Sequence, residues 1–291
     1  MQKYFIKMTS VFLLCISTLM LAHDNLPESY LTLDSLNDLS TYYEDFENDP
    51  HITQKEKDSV RPYLLPTHDP IKIILDSIFL HTRPLHNAET FAEAGFFSKF
   101  IQPRSFIRVA SHYQIPGYLF KVYLDSEIRV KRNTPGWVWF TRRAKNSRVI
   151  GEFIKSKKIK NFIVPKKWIY PTPLNDRSEI PLNDMYTIKN EILVVEDMEL
   201  VSKEENKLAW KTKITARHLD EFLAIIQHAG GSSYRADNVA YTKSGKFAFI
   251  DTEYITKNPN LKSIIPYLSP KMVVYWKKII KKKKRDSEKK Y

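Results

Sequence analysis

The segment from Tyr234 to Tyr254, YRADNVAYTKSGKFAFIDTEY, carries polar residues whose spacing could support chemistry. Its runs DNVAYT and KFAFID read as short strands, and the KSG between them is typical of a hairpin turn. A hairpin would place Asn238 at the start of one strand and Asp251 at the end of its partner, so an amide and a carboxylate oxygen can meet at one rim. Such hard oxygen ligands suit Mg²⁺, together with water and phosphate. The two-residue period of a strand also puts Glu253 on the same side as Asp251.

Several other chemistries find no support in the sequence. The single cysteine, Cys15, lies in the first apolar run, which excludes a disulfide, a cysteine zinc site and a cysteine nucleophile from the rest of the chain. The motifs HExxH, GxSxG, GxxxxGK[ST] and GxGxxG after a strand do not occur. A glycosidase site with paired carboxylates remains an alternative. The acidic residues that end or follow predicted strands are Glu196, Asp197, Asp251 and Glu253, but their spacing does not specify that reaction.

Hydrophobic periodicity predicts an α+β protein without internal repeats. A helix is expected from Pro70 to about Pro84, and a long helix over Thr141 to Lys157. The later half is expected to be helical around the hairpin, with one helix capped by Thr215 and ended by Gly230, and a last helix opened by Pro270. Strands are expected in the runs FIRVA (106–110), YLFKVYL (118–124), NFIVP (161–165) and EILVVED (191–197), with Pro116 and Gly117 separating the first two and a proline-rich excursion through Tyr170 and Pro171 separating the last two.

Taken together, these residues resemble the protein-kinase-like superfamily over about half of the chain, from Phe106 to Tyr254. Asn238 looks like the family's catalytic-loop Asn, and Asp251, in D-T-E, like the Asp of D-F-G. Lys121, in LFKVYL, looks like the strand lysine that holds nucleotide phosphates, and Glu152 like its ion-pair partner on the following helix. The resemblance implies a two-lobed fold with a strand-rich N-lobe and a shortened helical C-lobe. It also implies a hinge at Glu196 to Met198, where an adenine ring would meet the backbone, and ATP with Mg²⁺ as cofactors.

The sequence also departs from the family pattern. The position of the usual catalytic Asp, five residues before the loop Asn, is Ser233, which cannot accept a proton at neutral pH. Asp237 or Glu253 would have to replace it. The glycine-rich phosphate loop is missing as well, because no glycine lies between Gly95 and Gly117. These departures indicate an atypical kinase or a catalytically inactive pseudokinase.

The amino terminus predicts export. Met8 to Ala22 form a charge-free apolar run preceded by Lys3 and Lys7, and this run is shorter than the roughly 20 residues that span a bilayer. The pattern favours a cleaved signal peptide over residues 1–22, with an uncleaved membrane anchor as the alternative. The predicted organisation is then an acidic, mainly helical leader (23–90), a strand-rich lobe (91–198), a helical lobe with the hairpin (199–276) and a basic tail (277–291).

Charge is distributed unevenly along the 291 residues, whose formal net charge is +13. The leader is acidic from Asp24 to Val60, whereas residues 277–291 hold nine Lys or Arg residues against Asp286 and Glu288. Two functions therefore follow as expectations. The first is an exported kinase-like protein that binds Mg²⁺ and ATP or a related nucleotide. The alternative is a pseudokinase-type interaction protein that binds a protein partner or an anionic membrane surface through its basic body and tail. The tail has no interleaved aromatic residues, which argues against nucleic acid.

Overall fold

The computed structural model of the chain describes residues 46–49, 52–80, 82–101, 107–127, 136–173, 189–230, 234–252 and 259–288. All of them belong to one compact unit, Glu44–Tyr291. The predicted signal peptide and residues 23–45 of the acidic leader lie outside these residues. None of the helices in the described ranges is long and apolar enough to cross a membrane.

The described part of the chain is a mixture of helices and strands, as the sequence predicts. The helices are α1 (Gln54–Val60), α2 (Pro70–Phe79), α3 (Ala88–Glu93), α4 (Gly136–Ser156), α5 (Lys203–Thr212), α6 (Ala216–Ala229) and α7 (Pro270–Glu288), with short 3-10 helices at Arg61–Tyr63 and Ile265–Tyr267. The strands are β1 (Phe96–Ile101), β2 (Arg108–His112), β3 (Ile115–Val122), β4 (Phe162–Ile163), β5 (Lys167–Pro171), β6 (Glu191–Glu196), β7 (Val239–Tyr241) and β8 (Phe247–Phe249).

The strands form two sheets. Five of them make an antiparallel sheet in the order β1-β2-β3-β6-β5. The other three make a small sheet in the order β4-β8-β7, in which β7 and β8 are the predicted hairpin and β4 runs parallel to β8. Although β4 lies between β3 and β5 in sequence, it belongs to the hairpin's sheet. The fold class is therefore α+β, with an antiparallel main sheet.

The main sheet carries an apolar core on each of its faces, because successive side chains of a strand point in opposite directions. On β3, Phe120 and Val122 join an apolar core with Leu75 and Phe79 of α2. We call this side the α2 face. The residues of opposite parity point towards α4, whose Phe140 packs in a second core. We call this side the α4 face. The α4-face core also contains Tyr123, which directly follows β3, Ile169 of β5, and Leu193 and Val195 of β6.

A third core holds the hairpin sheet and the C-terminal helices together. Thr215 caps the start of α6, where its side chain accepts a hydrogen bond from the His218 N–H, and Gly230 ends this helix with φ 68°. On α7, Trp276 is fully buried and its Nε1 donates to the Leu261 carbonyl at 2.7 Å. Since α7 continues to Glu288, most of the predicted basic tail is helix in the structure.

Three features of the main sheet differ from the sequence-based expectations. Pro116 and Gly117 lie inside β3 rather than between two strands, and β2 and β3 meet at a two-residue turn, Tyr113–Gln114. Tyr170 and Pro171 belong to β5, at the edge of the sheet. A proline is tolerated there because an edge strand needs no donor on its outer side. Of the predicted strand FIRVA, Phe106 lies outside the described residues.

Candidate functional site

Lys121 lies on the α4 face of the main sheet. It pairs with Leu193 of β6 in the central part of the sheet, and its half-buried side chain has the same parity as the core residue Tyr123. The Lys121 side chain therefore lies on the side of the sheet that faces α4.

A second lysine, Lys167, lies on the same face at the start of β5. It is 5% exposed. Its Nζ donates to the Thr252 hydroxyl at 2.8 Å and to the Ile250 carbonyl at 3.1 Å. Burial lowers the pKa of Lys167 well below its usual value, and the positive charges of Lys121 and Arg143 lower it further, while the Asp251 carboxylate opposes this effect. Lys121, Arg143 and Asp251 therefore lie near enough to Lys167 for their charges to influence its pKa.

Asp251 follows β8 and completes this group. Its Oδ1 lies 3.9 Å from Nε of Arg143, which projects from the middle of α4. The Arg143 side chain is 11% exposed and the Asp251 side chain 32%, so the carboxylate is the more accessible of the two. We call Lys121, Arg143, Lys167 and Asp251 the junction cluster. It joins β3, α4, β5 and the segment after β8, four elements that are well separated in sequence.

Asn238 lies across the hairpin from Ile250, the residue that precedes Asp251. Its carbonyl accepts a hydrogen bond from the Ile250 N–H at 2.9 Å, and its own N–H donates to the Arg235 carbonyl at 2.9 Å. Thus the hairpin brings the backbone of Asn238 next to the residue that precedes Asp251. Within the described ranges no group of three or more His, Cys, Asp or Glu residues could hold a metal ion. One amide and one carboxylate fit Mg²⁺, which completes its shell with water and phosphate, better than they fit a metal that requires an all-protein site.

Glu152 does not join the junction cluster, and the predicted pairing with Lys121 is not found. It is exposed and, within the described part of the chain, it forms no ion pair. The reason lies in the helical period. Glu152 is nine positions after Arg143, and at about 100° per residue this places the two on opposite sides of α4. The residues of α4 that face the hairpin sheet are instead Arg143 and Asn146, whose Nδ2 donates to the Thr252 carbonyl at 3.0 Å.

The predicted hinge, Glu196 to Met198, begins at the last residue of β6. Both Glu196 and Met198 are half-buried. The Glu196 carboxylate already has a hydrogen-bond partner, since its Oε2 accepts from the Lys166 N–H at 2.8 Å. The Asp197 N–H donates to the Gly117 carbonyl at 2.8 Å, which fixes this segment against β3. The Asp197 carboxylate lies 3.3 Å from Nζ of Lys99 in β1.

Of the three positions considered for the catalytic base, the structure describes only Asp237. Ser233 and Glu253 lie outside the described residues. Asp237 is exposed, immediately precedes Asn238, and its Oδ2 lies 3.9 Å from a guanidinium nitrogen of Arg235. It is therefore open to solvent on the hairpin that also carries Asn238.

Sequence reasoning missed Lys167, Arg143 and Thr252. A lysine or arginine is hard to single out among 46 basic residues. The signal that could have found Lys167 is the alternation of Lys167 and Ile169 with Trp168 and Tyr170, which becomes visible once this run is treated as a strand.

No family model matches the chain, and no curated protein matches it.

Proposed function

We propose that this chain is an exported protein with a kinase-like, two-lobed core that binds Mg²⁺ and ATP or a related nucleotide. The observation that carries the proposal is the junction cluster, in which two lysines, an arginine and a carboxylate from distant parts of the sequence meet beside the hairpin. Buried or half-buried cations around one carboxylate are suited to a phosphate chain and its metal ion.

Each part of the site has a proposed role. Lys121 and Arg143 bind phosphate oxygens, and Asn238 and Asp251 hold Mg²⁺. When bound, Mg²⁺ supplies charge neutralisation on the phosphates. The segment from Glu196 to Met198 offers its backbone to the adenine ring. Glu152 has no role, because it faces away from Lys121.

The order of elements supports the same reading. In protein kinases the phosphate-binding lysine is on the third strand, and the metal ligands are the loop Asn and the Asp of D-F-G. Here Lys121 is on β3, α4 follows it, β6 leads to the hinge, α6 precedes Asn238, and Asp251 comes last. Among the described carboxylates, Asp237 is the candidate base if phosphoryl transfer occurs. Because such transfer depends mainly on positioning and charge neutralisation, an atypical base is compatible with a phosphotransferase.

Thermal unfolding with and without Mg²⁺ and ATP tests this proposal. A ligand at 100 times its Kd stabilises the native state by about 2.7 kcal/mol, which corresponds to a rise in Tm of about 5–10 °C for a domain of this size. We expect Asp251→Ala and Lys121→Ala to abolish this rise. Matched controls are Asp58→Asn and Arg217→Ala, which change exposed charges on α1 and α6 and leave the rise unchanged. An unshifted wild-type protein would contradict nucleotide binding.

Transfer of labelled phosphate from ATP separates an enzyme from a nucleotide-binding pseudokinase. If Asp237 acts as the base, Asp237→Asn reduces transfer while the ligand-induced rise in Tm remains. Retention of full transfer in this variant would remove Asp237 from the mechanism. Stabilisation by Mg²⁺ and ATP without any transfer in the wild-type protein would identify a pseudokinase.

A second candidate function is binding to an anionic surface or partner, and α7 favours it. The inner side of α7 is packed through Met272 and Trp276, while Lys277, Lys278, Lys281 and Lys282 are exposed. Basic side chains near an anionic membrane contribute about 1 kcal/mol each. Sedimentation with phosphatidylserine vesicles should therefore fall sharply when these four lysines are changed to Ala, with neutral vesicles as the control. Equal sedimentation of both proteins would argue against this function.

Export is tested separately, by sequencing the amino terminus of the mature protein from a bacterium that expresses the full chain. We expect cleavage after Ala22, so that the mature chain begins at His23. An intact amino terminus in the membrane fraction would support the uncleaved anchor.

A further inference from the structure

The residues on both sides of Asp251 are held by buried and partly buried hydrogen bonds. Lys167 Nζ donates to the Ile250 carbonyl at 3.1 Å and to the Thr252 hydroxyl at 2.8 Å. The Thr252 hydroxyl donates to the Arg143 carbonyl at 2.8 Å, and Asn146 Nδ2 donates to the Thr252 carbonyl at 3.0 Å. Strand β5 and helix α4 therefore bind the same three-residue segment from two directions.

We infer that Lys167 and Thr252 are positioning residues that fix the direction of the Asp251 carboxylate. They do so by holding its two neighbours against β5 and α4. Fixing residues 250 and 252 leaves little rotational freedom for the peptide units around residue 251, and Arg143 provides a charged neighbour on one side of the carboxylate. The inference rests on the proposed function only in giving Asp251 a metal ion to bind. The hydrogen bonds that hold residues 250 and 252 do not depend on that function.

The cost of burying Lys167 favours a specific role over simple packing. Moving an amine out of water is unfavourable unless the amine forms hydrogen bonds in the protein. Apolar residues of similar size often give a protein equal or greater stability at such buried positions. Burial lowers the pKa of Lys167 strongly, which reflects this cost. Both acceptors of the Lys167 ammonium group belong to the residues that flank Asp251. Burial of Lys167 therefore serves to hold this segment.

Thr252 connects the two elements. Its hydroxyl accepts from Lys167 and donates to the backbone of α4, and it is 2% exposed. Thr252→Val keeps the shape of the side chain and removes both bonds, whereas Thr252→Ser keeps the hydroxyl. A matched control exists on the same helix. Ser147 is buried and its hydroxyl donates to the Pro165 carbonyl, so Ser147→Ala removes a comparable bond that does not involve residues 250–252.

Two measurements test the inference on the full-length chain. The first is amide hydrogen exchange of peptides that cover residues 250–252 in the ligand-free protein. We expect Thr252→Val to speed exchange there by about tenfold, because the two hydrogen bonds of the Thr252 hydroxyl, one buried and one partly buried, are lost. The second is the Mg²⁺ concentration that gives half of the ATP-dependent rise in Tm. We expect an increase of about 10- to 100-fold, the range found when residues that orient metal ligands are changed.

The variants should separate positioning from stability. Thr252→Ser restores both quantities, and Lys167→Met changes them in the same direction as Thr252→Val. Ser147→Ala lowers Tm without changing either one. If Thr252→Val lowers Tm as Ser147→Ala does, but leaves the local exchange and the Mg²⁺ midpoint unchanged, the inference is overturned. If the wild-type protein does not respond to Mg²⁺ and ATP, the proposed function fails, and the exchange measurement alone decides whether the segment is held as inferred.

Discussion

The two faces of the main sheet are built from the same strands and have opposite characters. On β3, Phe120 and Val122 point to the α2 face, where aromatic and aliphatic side chains pack without contact with solvent. Lys121, between them in sequence, points to the α4 face together with Lys167 of β5. The α2 face is an apolar core closed by α2 and α3, whereas the α4 face combines a smaller core with the junction cluster.

This difference shows how a single strand can provide both stability and a polar site. The two-residue period separates the tasks, so that the charged residues are held by a backbone that apolar residues on the other face keep in place. Substitutions on the α2 face should therefore act mainly on stability, and substitutions on the α4 face mainly on ligand binding. Three predictions examine this division, beginning with the largest expected effect.

The largest effect is expected for Phe120→Ala. Phe120 is fully buried, and its ring centroid lies 5.4 Å from that of Phe96 in an edge-to-face arrangement. Its loss should reduce the free energy of unfolding by about 3–5 kcal/mol. The adjacent Lys121→Ala should cost less than about 1 kcal/mol, because the Lys121 side chain is only half-buried. Denaturant midpoints at equal m-values measure both. Equal destabilisation by the two variants would end the proposed division between the faces.

The second prediction concerns the one described ion pair of α2, which lies within the apolar face. Nζ of Lys72 is 2.5 Å from Oδ2 of Asp76, and both side chains are 4% exposed. Burial raises the pKa of Asp76 in spite of the neighbouring ammonium group. Lys72→Met should therefore destabilise the protein by about 3 kcal/mol, because it leaves a buried carboxylate without its partner.

The double variant Lys72→Met/Asp76→Leu is the control for this pair. Replacing both partners with apolar residues should bring stability back to within about 1 kcal/mol of the wild type. Such a result would show that the α2 face tolerates a fully apolar interior. A double variant as unstable as Lys72→Met would instead show that the pair has a specific structural role.

The smallest effect is expected from pH, through His112 at the edge of the α2 face. Its Nε2 donates to the Ala94 carbonyl at 2.9 Å and its Nδ1 accepts from the Gln114 N–H at 3.2 Å, an arrangement that requires the neutral ring. Burial lowers the pKa of His112. Below about pH 6.5 the unfolded chain therefore binds a proton that the folded protein does not, and stability falls as the pH decreases towards the folded pKa.

Unfolding free energies between pH 7.5 and pH 5 measure this loss. His112→Gln can keep both hydrogen bonds and should reduce the slope. Burial also lowers the pKa of His218, so part of the slope with the same sign remains in the variant. An unchanged slope in His112→Gln would assign the pH dependence to other groups.

The elements that were predicted correctly have strong local signals. Thr215 and Gly230 mark the two ends of α6 by capping chemistry, which depends on a few neighbouring residues. The hairpin of β7 and β8 has its turn residues between two apolar runs, with Gly245 at φ 81°. As a result, the relation between Asn238 and the end of β8 could also be predicted from the sequence.

The features that were missed depend on long-range contacts. Pro171 made β5 look like a loop, because the sequence does not show that this strand lies at the edge of the sheet. Without β5 there was no reason to place Lys167 beside the end of the hairpin sheet. The helix that contains Glu152 was predicted, but which of its sides faces the sheet depends on packing against Thr252 and the strands. Resemblance therefore suggested a partner for Lys121 on the wrong side of α4.

The parallel pairing of β4 with β8 has a consequence for how the molecule can be divided. A polypeptide that ended after β6 would contain all five strands of the main sheet and also β4, which would have lost the strand beside it. A polypeptide that began after β6 would have the hairpin but would lack Phe162, which packs against Phe222 and Phe247 in the third core. Neither half is therefore complete, and the boundary between the strand-rich and helical parts is not a place where the chain can be cut into two independently folding pieces.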